Sequence, residues 1–171
     1  MGIIKGFCLI VIFGLVVYLG NCKAEKFIKR LKELISVKSA LNIFENKIKF
    51  MQLPLEELFI NIAENTSEKN IKNIFQKLSK DIKQNKNIHK SWEKIISSSE
   101  SYLTLEDKNI LIDMGKILGA TALEGQVSNI KITSSFIDKQ IQKAEEEKQK
   151  NVKLYKTLGI GAGLTIIILL I

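Results

Sequence analysis

The sequence predicts an all-α protein: a cytoplasmic helical bundle of about six helices between an N-terminal and a short C-terminal transmembrane helix. Three observations carry that expectation. Apolar residues recur three and four positions apart through most of the chain, which is the period of one helix face. No stretch sustains apolar–polar alternation, and Asn-Gly and Asp-Gly, the strongest hairpin dipeptides, are missing. The charge is also placed unevenly. Of 171 residues, positions 1–21 hold only Lys5 and positions 157–171 hold no charged side chain, so the middle carries 25 of the 26 basic residues, all 18 acidic ones and a net charge of +7.

The first element is the apolar stretch 3–21, about 18 residues from Ile3 to Gly20, close to the minimum that spans a ~30 Å hydrocarbon core as a helix. A retained span is preferred to a cleaved signal peptide, whose exit needs small residues and here meets Asn21. A lipoprotein anchored at Cys22 is the third reading, weakened by the same Asn21. The last element, residues 157–171, reads TLGIGAGLTIIILLI. Fifteen residues reach only about 22 Å, so this short span needs the preceding helix or a thinned bilayer, with Lys153 and Lys156 turning their charges to the interface. Lysines crowd the inner flank of each stretch, from Lys23 to Lys38 and from Lys139 to Lys156. Positive flanks stay in the cytoplasm, which puts domain 22–156 there with both termini across the cell membrane.

Within the domain, Leu34, Val37, Leu41, Phe44, Ile48 and Met51 form a heptad stripe on a long first helix, extended toward the membrane by Phe27, Ile28 and Leu31. Pro54 ends this helix and opens a short second one, with Glu56 and Glu57 in its first turn. Leu55, Leu58, Phe59, Ile62 and Ala63 are that helix's apolar face. Thr66 or Ser67 is expected to cap the third helix, which buries Ile71, Ile74, Phe75, Leu78 and Ile82. Beyond the polar Gln84–Asn87 segment, Ile88, Trp92, Ile95 and Ile96 make a fourth face. Thr104 with Asp107 has the spacing of a capping box for a fifth helix carrying Ile110, Leu111, Met114, Ile117 and Leu118 and stopped by Gly119. A long sixth helix carries Leu123, Val127, Ile130, Ile137, Ile141 and Ala144 into the charged run 145–156.

The same residues speak against several function classes. One His, one Pro and two Cys leave little for zinc binding, a disulfide scaffold or a His-based catalytic site. Gly115-Lys116 lacks the rest of a phosphate-binding loop. His89 reads as a surface or half-buried side chain and Trp92 as core. Lysines interleaved with glutamates, with the aromatics on apolar faces, do not make a nucleic-acid surface; anionic lipid headgroups account for the flanking lysines. No enzyme, cofactor, metal or small-molecule substrate is expected. Gly159 and Gly163, four apart with Gly161 and Ala162 between, offer a small-residue surface for membrane helix packing, and Gly2 and Gly6 repeat the spacing.

In order along the chain, Pro54-Leu55-x-Glu57, Ile62-Ala63, the lone Trp92, Gly115-x-x-Leu118-Gly119 and Gln126 resemble the stage III sporulation protein AB family of endospore-forming bacteria. Ala144-Glu145-Glu146-Glu147, Lys150-Asn151 and Leu158-Gly159 to Gly163-Leu164 complete the resemblance, which covers nearly the whole chain. The family pattern has an Asp where this chain has Ala122, with Glu124 half a turn further on. The resemblance implies a membrane subunit of a channel-like complex between mother cell and forespore, in the mother-cell membrane. It also implies a helical domain similar to the platform proteins of type II secretion and type IV pilus systems. The partners implied are a stage III sporulation protein AA-like ATPase and other stage III membrane proteins. The residues expected at partner contacts are Glu57, Asp107, Glu124 and Gln126, with Gly159 and Gly163 at helix contacts in the membrane. The alternative is a membrane-anchored coiled-coil interaction protein or a lipoprotein, of unrelated function.

Overall fold

The computed structural model describes residues 2–51, 54–84, 86–118 and 123–170, apart from the side chains of 2–6, 8, 51, 123 and 170. Among these residues six helices follow one another: α1 (Gly2–Met51), α2 (Leu55–Glu64), α3 (Lys69–Lys83), α4 (Ile88–Ser97), α5 (Leu105–Gly115) and α6 (Leu123–Leu170). Among the described residues there is no strand. The expected Gly119 stop and the Ala122 departure lie outside the described residues, as do the side chains of Met51 and Leu123. The chain divides into two compact units, Lys32–Gln142 and the pair of segments Met1–Leu31 and Lys143–Ile171.

The larger unit is built around the stripe of α1. Leu34, Val37, Leu41, Phe44 and Ile48 are all buried, because spacings of three and four keep them on one side of a continuous helix. Buried with them are Leu58, Phe59, Ile62 and Ala63 of α2, Ile71, Ile74, Phe75 and Leu78 of α3, and Trp92, Ile95 and Ile96 of α4. Phe59 is the centre of an aromatic cluster, with ring centroids 5.8 Å from Phe44, 6.0 Å from Phe75 and 5.9 Å from Trp92. Burying each such ring is worth about 1.5–3 kcal/mol, and each tilted aromatic pair adds about 0.5–1.5 kcal/mol. The indole N–H of Trp92 donates to the Leu111 carbonyl at 2.6 Å, so burying the ring leaves no unpaired donor.

The short helices begin and end where local chemistry dictates. Pro54 stands at the N-cap of α2, with Glu56 and Glu57 in the first turn, where an acid meets the positive end of the helix dipole. Asn87 caps α4 by accepting from the Lys90 N–H at 3.1 Å. Thr104 and Asp107 form the expected capping box of α5, each side chain accepting from the other's backbone N–H. The expected cap of α3 is corrected: Glu68 holds its N-cap position without a side-chain bond. The Thr66 hydroxyl turns back to donate to the Ile62 carbonyl at 2.7 Å. It closes α2, because an orphan carbonyl at the end of a helix competes for the same hydroxyl.

In the smaller unit α1 and α6 lie antiparallel. Gly20 faces Gly159 and Phe13 faces Gly163, while the rings of Phe27 and Tyr155 stack with centroids 5.9 Å apart. Among the described residues one helix, α6, is long and apolar enough to cross a membrane by length and composition. It runs unbroken through position 157, so the described part of the apolar stretch, 157–170, is the end of a longer helix. The expected span at 3–21 rests partly on positions whose side chains lie outside the described set.

Candidate interaction surfaces

Glu33 is the one acidic residue with a nearly closed environment on α1. Its Oε1 accepts from the Asn70 side-chain amide and its Oε2 from the Tyr102 backbone N–H, both at 2.6 Å. The carboxylate thereby ties α1 to the start of α3 and to the segment before α5. Burial raises its pKa above 4.5, and the Asn70 and Tyr102 donors partly offset that rise. Sequence reading passed over Glu33, although its place one residue before Leu34 and four before Val37 puts it on the buried stripe. Among the described residues no group of three or more His, Cys, Asp or Glu side chains is arranged to hold a metal ion.

A second polar link joins α4 to α5. His89 donates from Nδ1 to the Gly115 carbonyl at 2.8 Å, which assigns its tautomer because a carbonyl can only accept. Asp81, at the end of α3, accepts from Lys86 at 2.6 Å. The Lys86 and Ser91 hydrogen bonds hold its carboxyl below the usual carboxylate range.

The residues expected at partner contacts stand on three helices. Glu57 is exposed on the first turn of α2. Asp107 is fully enclosed, its carboxylate engaged in the α5 cap. Glu124 is exposed on the first turn of α6, where it shares a shallow surface with Lys49, Val127, Ser128 and Lys131. Gln126 is half-buried one residue beyond Gly125.

A groove of about 450 Å³ runs between α5 and α6. Ile110, Met114 and Ile117 line one wall, and Ile132, Thr133 and Phe136 line the other. Ile132 is 52% exposed and Phe136 46%. The sequence pattern placed Ile110 and Ile117 in the packed face of α5, but the structure leaves both half-exposed in this groove. Ile132 and Phe136 form a second apolar stripe on α6, four residues apart, that was not singled out.

In the smaller unit the small residues permit close approach. A Cβ at Gly20 would come within 2.8 Å of the Tyr155 carbonyl oxygen, and one at Gly163 within 2.6 Å of the Phe13 ring. Gly159 itself is buried, 3.3 Å from Gly20 measured from an added Cβ to Cα. Beyond this crossing Arg30, almost wholly buried, meets Glu147 at 2.6 Å. Lys23, Lys26, Lys150, Lys153 and Lys156 are exposed around it.

Fold and surfaces together define a class: a protein all-helical among the described residues, with one helix there long and apolar enough to cross a membrane and with exposed helix faces and grooves. Within that class the family can be stated. The family model for stage III sporulation protein AB matches residues 5–171, and the chain belongs to that family. It is 25% identical over 150 residues to stage III sporulation protein AB of Bacillus subtilis (strain 168), covering 86% of this chain and 87% of that protein. A solved structure of a stage III sporulation protein AB, 19% identical, matches with a TM-score of 0.64 over 71% of this chain and 98% of its own. That likeness shows a shared fold. The family supports a role in sporulation, membrane association and interaction with other stage III sporulation proteins.

Proposed function

We propose that the protein is a membrane platform subunit of a secretion-like channel complex between mother cell and forespore, with the bundle 22–156 in the cytoplasm as a docking surface for an ATPase resembling stage III sporulation protein AA. The observation that carries this reading is the continuity of α1 and α6. Each passes without a break from the larger unit into the glycine-lined pair of the smaller one. Two continuous helices of this kind are suited to join a cytoplasmic bundle to a pair of membrane spans at 3–21 and 157–171. The lysine-rich flanks then face the anionic headgroups of the inner leaflet.

Exposed Glu57 and Glu124 are the side chains offered to the ATPase, with Gln126 beside the second of them. Asp107 contributes by fixing the start of α5. The role is that of an adaptor: likeness to secretion platform proteins supplies the analogy, and the site supplies helix faces for protein contact. The test is binding of the full chain in detergent micelles to the purified stage III sporulation protein AA-like ATPase of the same organism, with and without nucleotide. Saturable binding that weakens on Glu57→Lys or Glu124→Lys is the expected outcome. No binding in either nucleotide state would remove the ATPase from this reading and leave a subunit whose partners lie within the membrane.

A further inference from the structure

The α5–α6 groove has walls of opposite charge. The α5 side presents Glu106 and Asp113, and the charged residue lining the α6 side is Lys139. The two walls are also in register. Gln140 donates to Glu106 at 2.8 Å and Asn129 donates to the Met114 carbonyl at 3.3 Å. The helices therefore run antiparallel, with Lys139 at the height of Glu106. Between the charged rims the surface is apolar, and the Lys139 ammonium rests 5.7 Å from the centre of the Phe136 ring.

A surface with one acidic and one basic wall at the same height is self-complementary under one particular rotation. If a second copy faces the groove across a two-fold axis running along α6, its basic wall lies over the acidic wall of the first. Lys139 then meets Glu106 twice, once in each direction, as an isologous contact requires. The same rotation stacks the Ile132 and Phe136 stripes into the facing grooves, which gives the aromatic centre and charged rim typical of specific interfaces. A two-fold axis across α6 would instead bring residues of different height together. It would also lay each acidic wall over the acidic wall of the other copy, like charge against like.

We infer that the α5–α6 groove is a homodimer interface, closed by the same groove of a second copy with Phe136 at its centre and reciprocal Glu106–Lys139 pairs at its rim. This goes beyond the platform reading and does not depend on it. Self-association is measured without any ATPase, so failure of one does not imply failure of the other.

The experiment uses the full chain in detergent micelles, with mass by light scattering and sedimentation velocity across a hundredfold range of protein concentration. Wild type is expected to be dimeric. Lys139→Glu and Glu106→Lys each place like charges opposite one another and should weaken self-association by about tenfold or more. Because one variant then carries two acidic rims and the other two basic ones, mixing them should restore a dimer containing one chain of each. Helicity and thermal melting identify a variant that has lost its fold. In that case Phe136→Ser, which removes the exposed aromatic anchor, must also give monomer. A monomeric wild type overturns the proposal, as do single variants that stay dimeric or a mixture of monomeric variants that remains monomeric.

Discussion

Gly115, the last residue of α5, lies against the indole ring of Trp92 with no room for a methyl group between them. The contact explains why α4 and α5 can approach closely enough for the Trp92 N–H to reach the Leu111 carbonyl. Gly115→Ala should destabilise the chain by about 1–3 kcal/mol, because inserting a methyl into a packed core forces neighbours off their rotamers. Alanine's helix propensity returns at most about 1 kcal/mol, and less at a helix end. The chain has one tryptophan, so its emission during urea unfolding reads the very ring involved. An unchanged midpoint would mean that the packing is looser than this geometry.

The buried Glu33 carboxylate predicts a pH dependence of opposite sign to that of most paired acids. Its folded pKa is raised above 4.5, chiefly by burial, so the folded chain holds this proton more tightly than the unfolded chain does. The contribution to stability is full below the unfolded value and is lost as pH rises through the raised folded value. Relative to Glu33→Gln, whose side chain is neutral throughout, the wild type should lose stability between about pH 4.5 and its raised folded pKa and run parallel above it. Thermal melts of the two chains across that range test it. A constant difference would show that Glu33 titrates normally.

Much of this fold is legible in the sequence because its signals are local. The buried stripe of α1 from Leu34 to Ile48 repeats within a few turns, and the Thr104–Asp107 box needs only three residues of spacing. What escaped depends on partners brought together by the fold. Glu33 is buried because Asn70 and Tyr102, 37 and 69 positions away, supply its hydrogen bonds. Thr66 had two helix ends within reach, and its spacing alone does not say which orphan group wins. The Gly159 and Gly163 spacing could be seen, but not that Gly20 and Phe13 would face them. The groove at Ile132 and Phe136 was hidden because α6 carries two apolar stripes, and sequence reading followed the one that buries Ile130, Ile137 and Ala144.

Asp107 and Thr104 predict a stability effect separable from any partner effect. Thr104→Ala removes the acceptor for the Asp107 N–H and should cost about 1 kcal/mol, the usual size of a lost N-cap. Asp107→Ala should cost more, about 1–3 kcal/mol, because it empties a fully enclosed position and takes the acceptor from the Thr104 N–H. Chemical denaturation checks both. If Asp107→Ala abolished partner binding while leaving the unfolding midpoint untouched, the cap would not be its main role.

The crossing of α1 and α6 at Gly20 and Gly159 predicts the largest local change from a single side chain. At Gly20 an added Cβ meets backbone, the Tyr155 carbonyl oxygen at 2.8 Å and the Gly159 Cα at 3.0 Å, and backbone cannot swing aside as a flexible side chain does. Gly20→Leu and Gly159→Leu should therefore force the helices apart. In a membrane this loss is not recovered elsewhere, because close packing of small residues is a principal source of helix association where lipid removes the hydrophobic drive. Cysteines placed at Phe27 and Tyr155, whose rings stack at 5.9 Å, provide the readout once Cys8 and Cys22 are replaced by serine. Oxidation should link the pair efficiently in the parent chain and several-fold less in either leucine variant. Gly161→Leu, at a position with nothing within 4 Å of an added Cβ, should link as well as the parent. Equal cross-linking in all three variants would mean that the helices do not depend on the glycine contact.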